Sequence, residues 1–253
     1  YMTSWEVNER MNVSNEARIN IRGVRQELML EDMLADQKVR IQYSSKYSGS
    51  TNYWKNSIGM NQALRKLKVI DRKREQETAF TAWTNANAQR KQKYGEALDL
   101  IHKSVEGREE ALQASLYLGE CITRGSEIIS FAQNFVRYYD AVKKEKKNSA
   151  DSMLINTFSM RMQAASTRFF KAYNMPTDKK ISKAMYKLFA EDVDKEYRPE
   201  IFQTIKKEYK NKFNQYVEDM FANTFMTDSS KVSAFIKNPS LTVLEKDPAF
   251  LMA

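Results

Sequence analysis

The chain has 253 residues, 42% hydrophobic and 29% charged, which is enough for one large domain or two small ones around a true core. Only 7 glycines and 4 prolines, with no proline before Pro176, argue against strand-and-turn architecture and for an all-α fold. The formal charge of +9 is interleaved with acids, as in "DRKREQE", so it reads as solvated helix faces rather than a nucleic-acid surface.

Helical periodicity dominates the chain. It predicts a helix from about Glu16 to Tyr47, then a longer one through Trp54 and Leu67 to Trp83, with a loop at Asn85 to Asn87. Leu118, Ile122, Gly125, Ile129, Ala132, Val136 and Tyr139 alternate spacings of four and three, a seam for packing on another long helix. Leu154, Phe158, Ala165, Phe169 and Tyr173 repeat the pattern. "MPTD" then supplies a stop at Pro176 and a cap at Thr177 for a short helix bearing Ile181, Ala184, Met185, Leu188 and Phe189 on one face. Pro199 fits the first turn of a helix whose stripe is Ile201, Ile205, Tyr209, Phe213, Tyr216 and Met220. "TDSS" at Thr227 to Ser230 caps a last helix that ends at "NPS". The expectation is a bundle of about six to eight long antiparallel helices.

Counting removes several chemistries. The single cysteine, Cys121, cannot form an intrachain disulfide or a zinc thiolate cluster, and reads as a small core residue. One histidine, His102, excludes histidine-rich metal sites and reads as structural rather than catalytic. There is no G-x-x-x-x-G-K-[ST] loop and no G-x-G-x-x-G. No run of 18 apolar residues exists to span a membrane.

"YSSKYSGSTNYWKNSIGMN", Tyr43 to Asn61, is the exception to plain amphipathic helix. On a helix, Asn52 and Asn56 share a face, and Tyr43, Tyr47 and Trp54 fall on a common stripe. An asparagine oxygen can accept from an ammonium group while its NH2 donates to a peptide carbonyl. Such a surface suits a peptide with a free amino terminus. The plainer reading is that the aromatics are core and that Gly49-Ser50 breaks or caps a helix. The residues alone leave both open.

"ADQKVRIQYSSKYSGSTNYWKNSIGMNQAL" resembles the helical domain of bacterial dipeptidyl-peptidases 7 and 11, chymotrypsin-like serine exopeptidases. "SWEVNERMNVSNEARINIRGVRQE", "AFTAWTNANAQRKQKYGEAL" and the closing "EKDPAFLMA" extend the likeness along nearly the whole chain. The resemblance implies that residues 1–253 are a single α-helical domain inserted in a double β-barrel peptidase. The triad histidine and aspartate would then precede the insertion and the serine follow it. The opening "YMTSWEV" and closing "PAFLMA" fit that picture of an excised domain, inactive alone.

By the same resemblance the helices cover the active-site cleft and limit cleavage to dipeptides released from a free amino terminus. An asparagine of this domain helps hold the substrate's α-amino group; Asn52 matches it, with Asn56 the rival and Tyr47 and Trp54 lining or bracing the surface. Gly49 stands where some relatives carry a bulkier residue. The implied partners are an oligopeptide and the parent's own β-barrels, in a homodimer at the periplasm or cell surface of a Gram-negative bacterium. No cofactor is implied. The competing classes are a helical scaffold on anionic membranes or partner helices, and a nucleic-acid binder with its charge gathered on one face.

Overall fold

In the computed structural model, residues 2–144 and 152–253 are described, and among them every regular element is helical. Thr3 opens α1 (Ser4–Glu9) with a capping box: its hydroxyl accepts from the Glu6 N–H while the Glu6 carboxylate accepts from the Thr3 N–H. A widened π-helical turn, Arg10–Asn15, leads into α2 (Glu16–Ala35).

The break after α2 comes at Asp36, not at Tyr47. Asp36 is extended (φ −138°, ψ 121°), and its carboxylate accepts from the Lys38 N–H to start α3 (Gln37–Lys66). An aspartate that bonds its own following backbone competes with the helix and wins here. Gly49 and Ser50, by contrast, lie within α3 and do not interrupt it. The next break is Lys68, left-handed at φ 48°, so the expected long helix divides into α3 and α4 (Val69–Asn85). The expected loop at Asn85 to Asn87 is a short break at Ala86 and Asn87, where Asn87 caps α5 (Ala88–Tyr94); α6 (Ala97–Val105) and α7 (Glu109–Tyr117) follow.

The expected seam from Leu118 to Tyr139 is also divided. A second π-helical turn, Leu118–Thr123, precedes a bend at Gly125, and α8 (Glu127–Lys144) begins beyond it. Gly125 is required there: a Cβ would lie 1.9 Å from the Cys121 carbonyl oxygen. In α9 (Ser152–Ala172), Phe158 and Phe169 pack as the stripe predicts, while Leu154 lies outside the described side chains.

Asn174, not Thr177, caps α10 (Met175–Asp192); its side chain accepts from the Thr177 N–H, and Pro176 sits in the first turn where it displaces no hydrogen bond. Pro199 lies before α11 (Ile201–Tyr209) rather than in it. Lys210 and Asn211, at φ 53° and 61°, split the following stripe between α11 and α12 (Phe213–Asn223). Asp228 caps α13 (Ser229–Lys237) as expected, but α14 (Leu241–Leu244) and α15 (Pro248–Met252) follow it. Short helices therefore outnumber the six to eight long ones inferred from periodicity.

Among the longer helices, α2, α3 and α10 pack side by side. Side-chain bonds pair Trp54 with Ile19, Thr51 with Gln26 and Arg65 with Glu16, which is the register of an antiparallel α2–α3 hairpin. On another side of α2, α10 also runs antiparallel: Lys180 meets Asp32 at one end and Asp192 meets Asn20 at the other. The core fills the space beyond, with Ile21, Tyr43, Ile128, Phe135, Tyr186 and Phe189 all but sealed from solvent. Phe135 is the hub of an aromatic group, edge-on to Phe131, Phe158, Phe225 and Phe235.

Candidate functional site on the outer face of α3

Three hydrogen-bonding positions on α3 fix its rotation against the preceding elements. The Trp54 indole N–H donates to the Ile19 carbonyl at 3.1 Å, and the Thr51 hydroxyl donates to the Gln26 side-chain oxygen. Asn61 is buried and serves three partners: it donates to the Met11 carbonyl at 3.1 Å and to Glu16 at 2.9 Å, and accepts from Asn15 at 2.7 Å. Tyr43 is buried and Tyr47 packs against the core cluster. The aromatic stripe thus belongs to the inner side of the helix.

The outer side is set by the same rotation. Asn52 and Asn56 are both exposed, one turn apart, and neither amide bonds to any described residue. Gly49 and Gly59 flank them, with open space where a side chain would stand. A row of four N–H donors and two carbonyl acceptors therefore faces solvent from a rigid element, beside backbone that a ligand can approach closely. Such a row can hold an ammonium group and a peptide carbonyl. It cannot by itself make or break a bond.

A second polar group ties the inner side of α3 to the rest of the domain. Lys46 meets Glu127 at 2.6 Å and donates to the Ala172 carbonyl, its ammonium 4.0 Å from the centre of the Tyr43 ring. Buried Asp178 accepts from the Glu127 and Ile128 N–H groups, capping α8 from α10. Burial, with the Glu127 charge adding to it, pushes the Asp178 carboxyl up to about 7. Burial also raises the Tyr43 and Tyr173 phenols far above their ordinary range, so neither exchanges a proton near neutrality. Sequence reading did not find Lys46, Glu127 or Asp178, because their partners come from distant parts of the chain.

The residues set aside from the sequence have structural surroundings. His102 stacks on Trp5 with ring centres 4.5 Å apart, holding α6 to α1. Cys121 is fully buried, and burial pushes its thiol up to about 12, leaving it inert as a nucleophile. Among the described residues no three histidine, cysteine or acidic side chains gather to hold a metal ion, and no helix is long and apolar enough to cross a membrane.

Residues 1–253 match, from end to end, the family model for peptidase S46. The chain belongs to the peptidase S46 family. Among its S46 relatives, a dipeptidyl-peptidase 7 of Phocaeicola vulgatus is 36% identical over 248 residues, which is 98% of this chain and 34% of that protein. An Asp/Glu-specific dipeptidyl-peptidase of Porphyromonas gingivalis is 30% identical over 257 residues, covering all of this chain and 34% of that protein. The chain thus spans about a third of the length of the relatives it matches. The crystal structure of Porphyromonas endodontalis DPP11 in complex with the dipeptide Arg-Glu superposes with a TM-score of 0.76 at 28% identity, over 98% of this chain and 35% of that one. The all-α architecture is therefore that of a segment within a larger S46 protein of known structure.

Proposed function

We propose that this chain is the substrate-recognising, cleft-covering helical domain of a serine-type dipeptidyl aminopeptidase. Its outer α3 face grips the free amino terminus of an oligopeptide, and the bond-breaking groups lie in flanking β-barrels. The observation that carries this reading is the outward pair Asn52 and Asn56, unpartnered on a helix whose rotation is fixed by buried bonds. An exopeptidase that releases two residues must measure from the terminus. A rigid acceptor for the ammonium group does that, because it places the scissile bond at a set distance.

Two further features support the reading. The similar DPP11 structure was crystallised with a dipeptide, and relatives across the match are named dipeptidyl-peptidases. The one imidazole of this chain stacks on Trp5 and bonds no hydroxyl or carboxylate among the described residues, which fits a triad supplied by the flanking barrels and a chain that alone does not turn over peptide. The parent is read as a homodimer at the periplasm or cell surface.

Kinetics of the full-length enzyme with Asn52→Ala test the assignment. KM for peptides with a free amino terminus should rise, while the helical content stays unchanged. Wild-type kinetics for Asn52→Ala together with impaired capture by Asn56→Ala would move the grip to Asn56; wild-type kinetics for both would remove α3 from the site.

A further inference from the structure

Arg18, Arg22 and Arg25 follow one another on α2 at spacings of four and three, and so share one face. Opposite them is the π-helical turn Leu118–Thr123, which presents Glu120. Arg22 meets the Glu120 carboxylate at 2.8 Å; Arg25 lies 3.9 Å from it and donates to the Glu120 carbonyl as well. Arg124 follows the same turn, its guanidinium against Gly119, where a Cβ would come within 3.4 Å. Arg10 bears on the cluster from the other π-helical turn, raising the repulsion at Arg18.

The charges do not balance. Arg10, Arg18 and Arg124 form no ion pair among the described residues, and the hydrogen bond that Arg18 makes is to the Ser14 carbonyl at 3.4 Å. The Nε–H groups of Arg22 and Arg25 are buried and unspent. Burial, and then mutual repulsion, lower the hold of Arg18 on its proton. Gathered like charges disfavour the fold unless an anion joins them, and planar guanidiniums suit a carboxylate in particular.

The position of the cluster identifies that anion. The Arg22 guanidinium sits 4.9 Å from the centre of the Tyr53 ring, and Tyr53, 64% exposed, is the residue after Asn52. The cluster therefore opens on the flank of the face assigned above to the peptide. We infer that Arg18, Arg22 and Arg124 form a binding site for a carboxylate of the peptide whose amino end lies on α3. The choice of a peptide as ligand rests on the reading of α3 given above; the excess of positive charge does not.

The test uses this chain and calorimetric titration with three tetrapeptides that all have free amino termini. Ala-Ala-Glu-Ala-amide carries only a side-chain carboxylate, Ala-Ala-Gln-Ala only a terminal one, and Ala-Ala-Gln-Ala-amide neither. At least one charged peptide should bind about tenfold more tightly than the neutral one, and the arm that gains names the source of the carboxylate. The double variant Arg18→Gln/Arg124→Gln should abolish the gain without unfolding the chain, since Arg22 and Arg25 still hold Glu120. Equal or undetectable affinity of all three for the wild type overturns the inference, as does a gain that survives the double variant. Acetylated peptides separate the two readings. If α3 does not hold the ammonium group, acetylation changes nothing while the carboxylate gain persists.

Discussion

Asp178 stands over the amino end of the helix that Glu127 begins, accepting its N–H at 2.7 Å and that of Ile128 at 2.9 Å. A carboxylate is well placed at a helix start, where donors lack partners and the dipole is positive. Here it is also fully buried and faces the Glu127 carboxylate, with Lys46 the nearby cation. The folding of α8 against α10 therefore brings two acids together around a single lysine, with the Tyr43 and Tyr173 phenols completing the group.

A specific pH dependence of stability follows. Burial, then the Glu127 charge, raise the Asp178 carboxyl from 3.8 to about 7. Between those values the native state keeps a proton that the unfolded chain releases, so stability falls as pH rises through the window, by at most about 1.4 kcal/mol per unit. Urea unfolding between pH 4.5 and 7.5 should show that slope for the wild type and lose most of it for Asp178→Asn. Parallel curves for the two proteins would mean that Asp178 is already ionised throughout.

Asn61 supports a different junction. It bonds the Met11 carbonyl in the first π-helical turn, and Asn15 and Glu16 around it, all on the inner side of α3. Asn61→Ala strands the buried Met11 carbonyl and Asn15 amide, at a cost of about 2–3 kcal/mol, while exposed Glu16 keeps water and Arg65. Asn61→Asp should cost more, because it sets a carboxylate against the Met11 carbonyl and Glu16. Chemical unfolding with an unchanged denaturant slope checks both; a loss near zero for Asn61→Ala would show that water replaces the amide.

These two junctions mark what could be read in the sequence. Asn87 and Asp228 cap helices through bonds two and three residues away, and local pattern found both ends. The breaks at Asp36 and Lys68 are as local but not legible, because the apolar spacing runs on through them, while Gly49 offers a break that the helix does not take. The asparagine pair was legible because i and i+4 share a face on any helix. Whether that face is inward or outward was not, since it depends on Trp54 finding Ile19 35 residues back and Asn61 finding Met11 50 residues back. The Asp178–Glu127 contact spans 51 residues and leaves no mark in spacing.

Buried hydrogen bonds tie the amino-terminal helix to α4. Buried Glu77 of α4 accepts from the Ser4 N–H at 2.5 Å and from the Ser4 hydroxyl at 2.7 Å, both charge-assisted. Glu77→Gln keeps the shape but offers only one acceptor oxygen, and should cost about 1.5–3 kcal/mol. Since Trp5 of α1 stacks on His102, its fluorescence should report loosening of α1 before the rest unfolds. Coincident transitions of Trp5 and of total helicity would show that α1 does not move alone.

Trp54 separates bracing from contact. Its indole N–H is engaged with the Ile19 carbonyl at 3.1 Å, on the side of α3 away from Asn52. Trp54→Phe keeps most of the ring contact and removes that bond, so a stability loss of about 1–2 kcal/mol is expected. If Trp54 acts by holding the rotation of α3, the full-length enzyme should show a KM rise smaller than that of Asn52→Ala, with kcat nearly unchanged. The loss should also recover in part when the temperature is lowered and the helix pair tightens. A KM rise as large as that of Asn52→Ala, insensitive to temperature, would instead place the indole against the peptide.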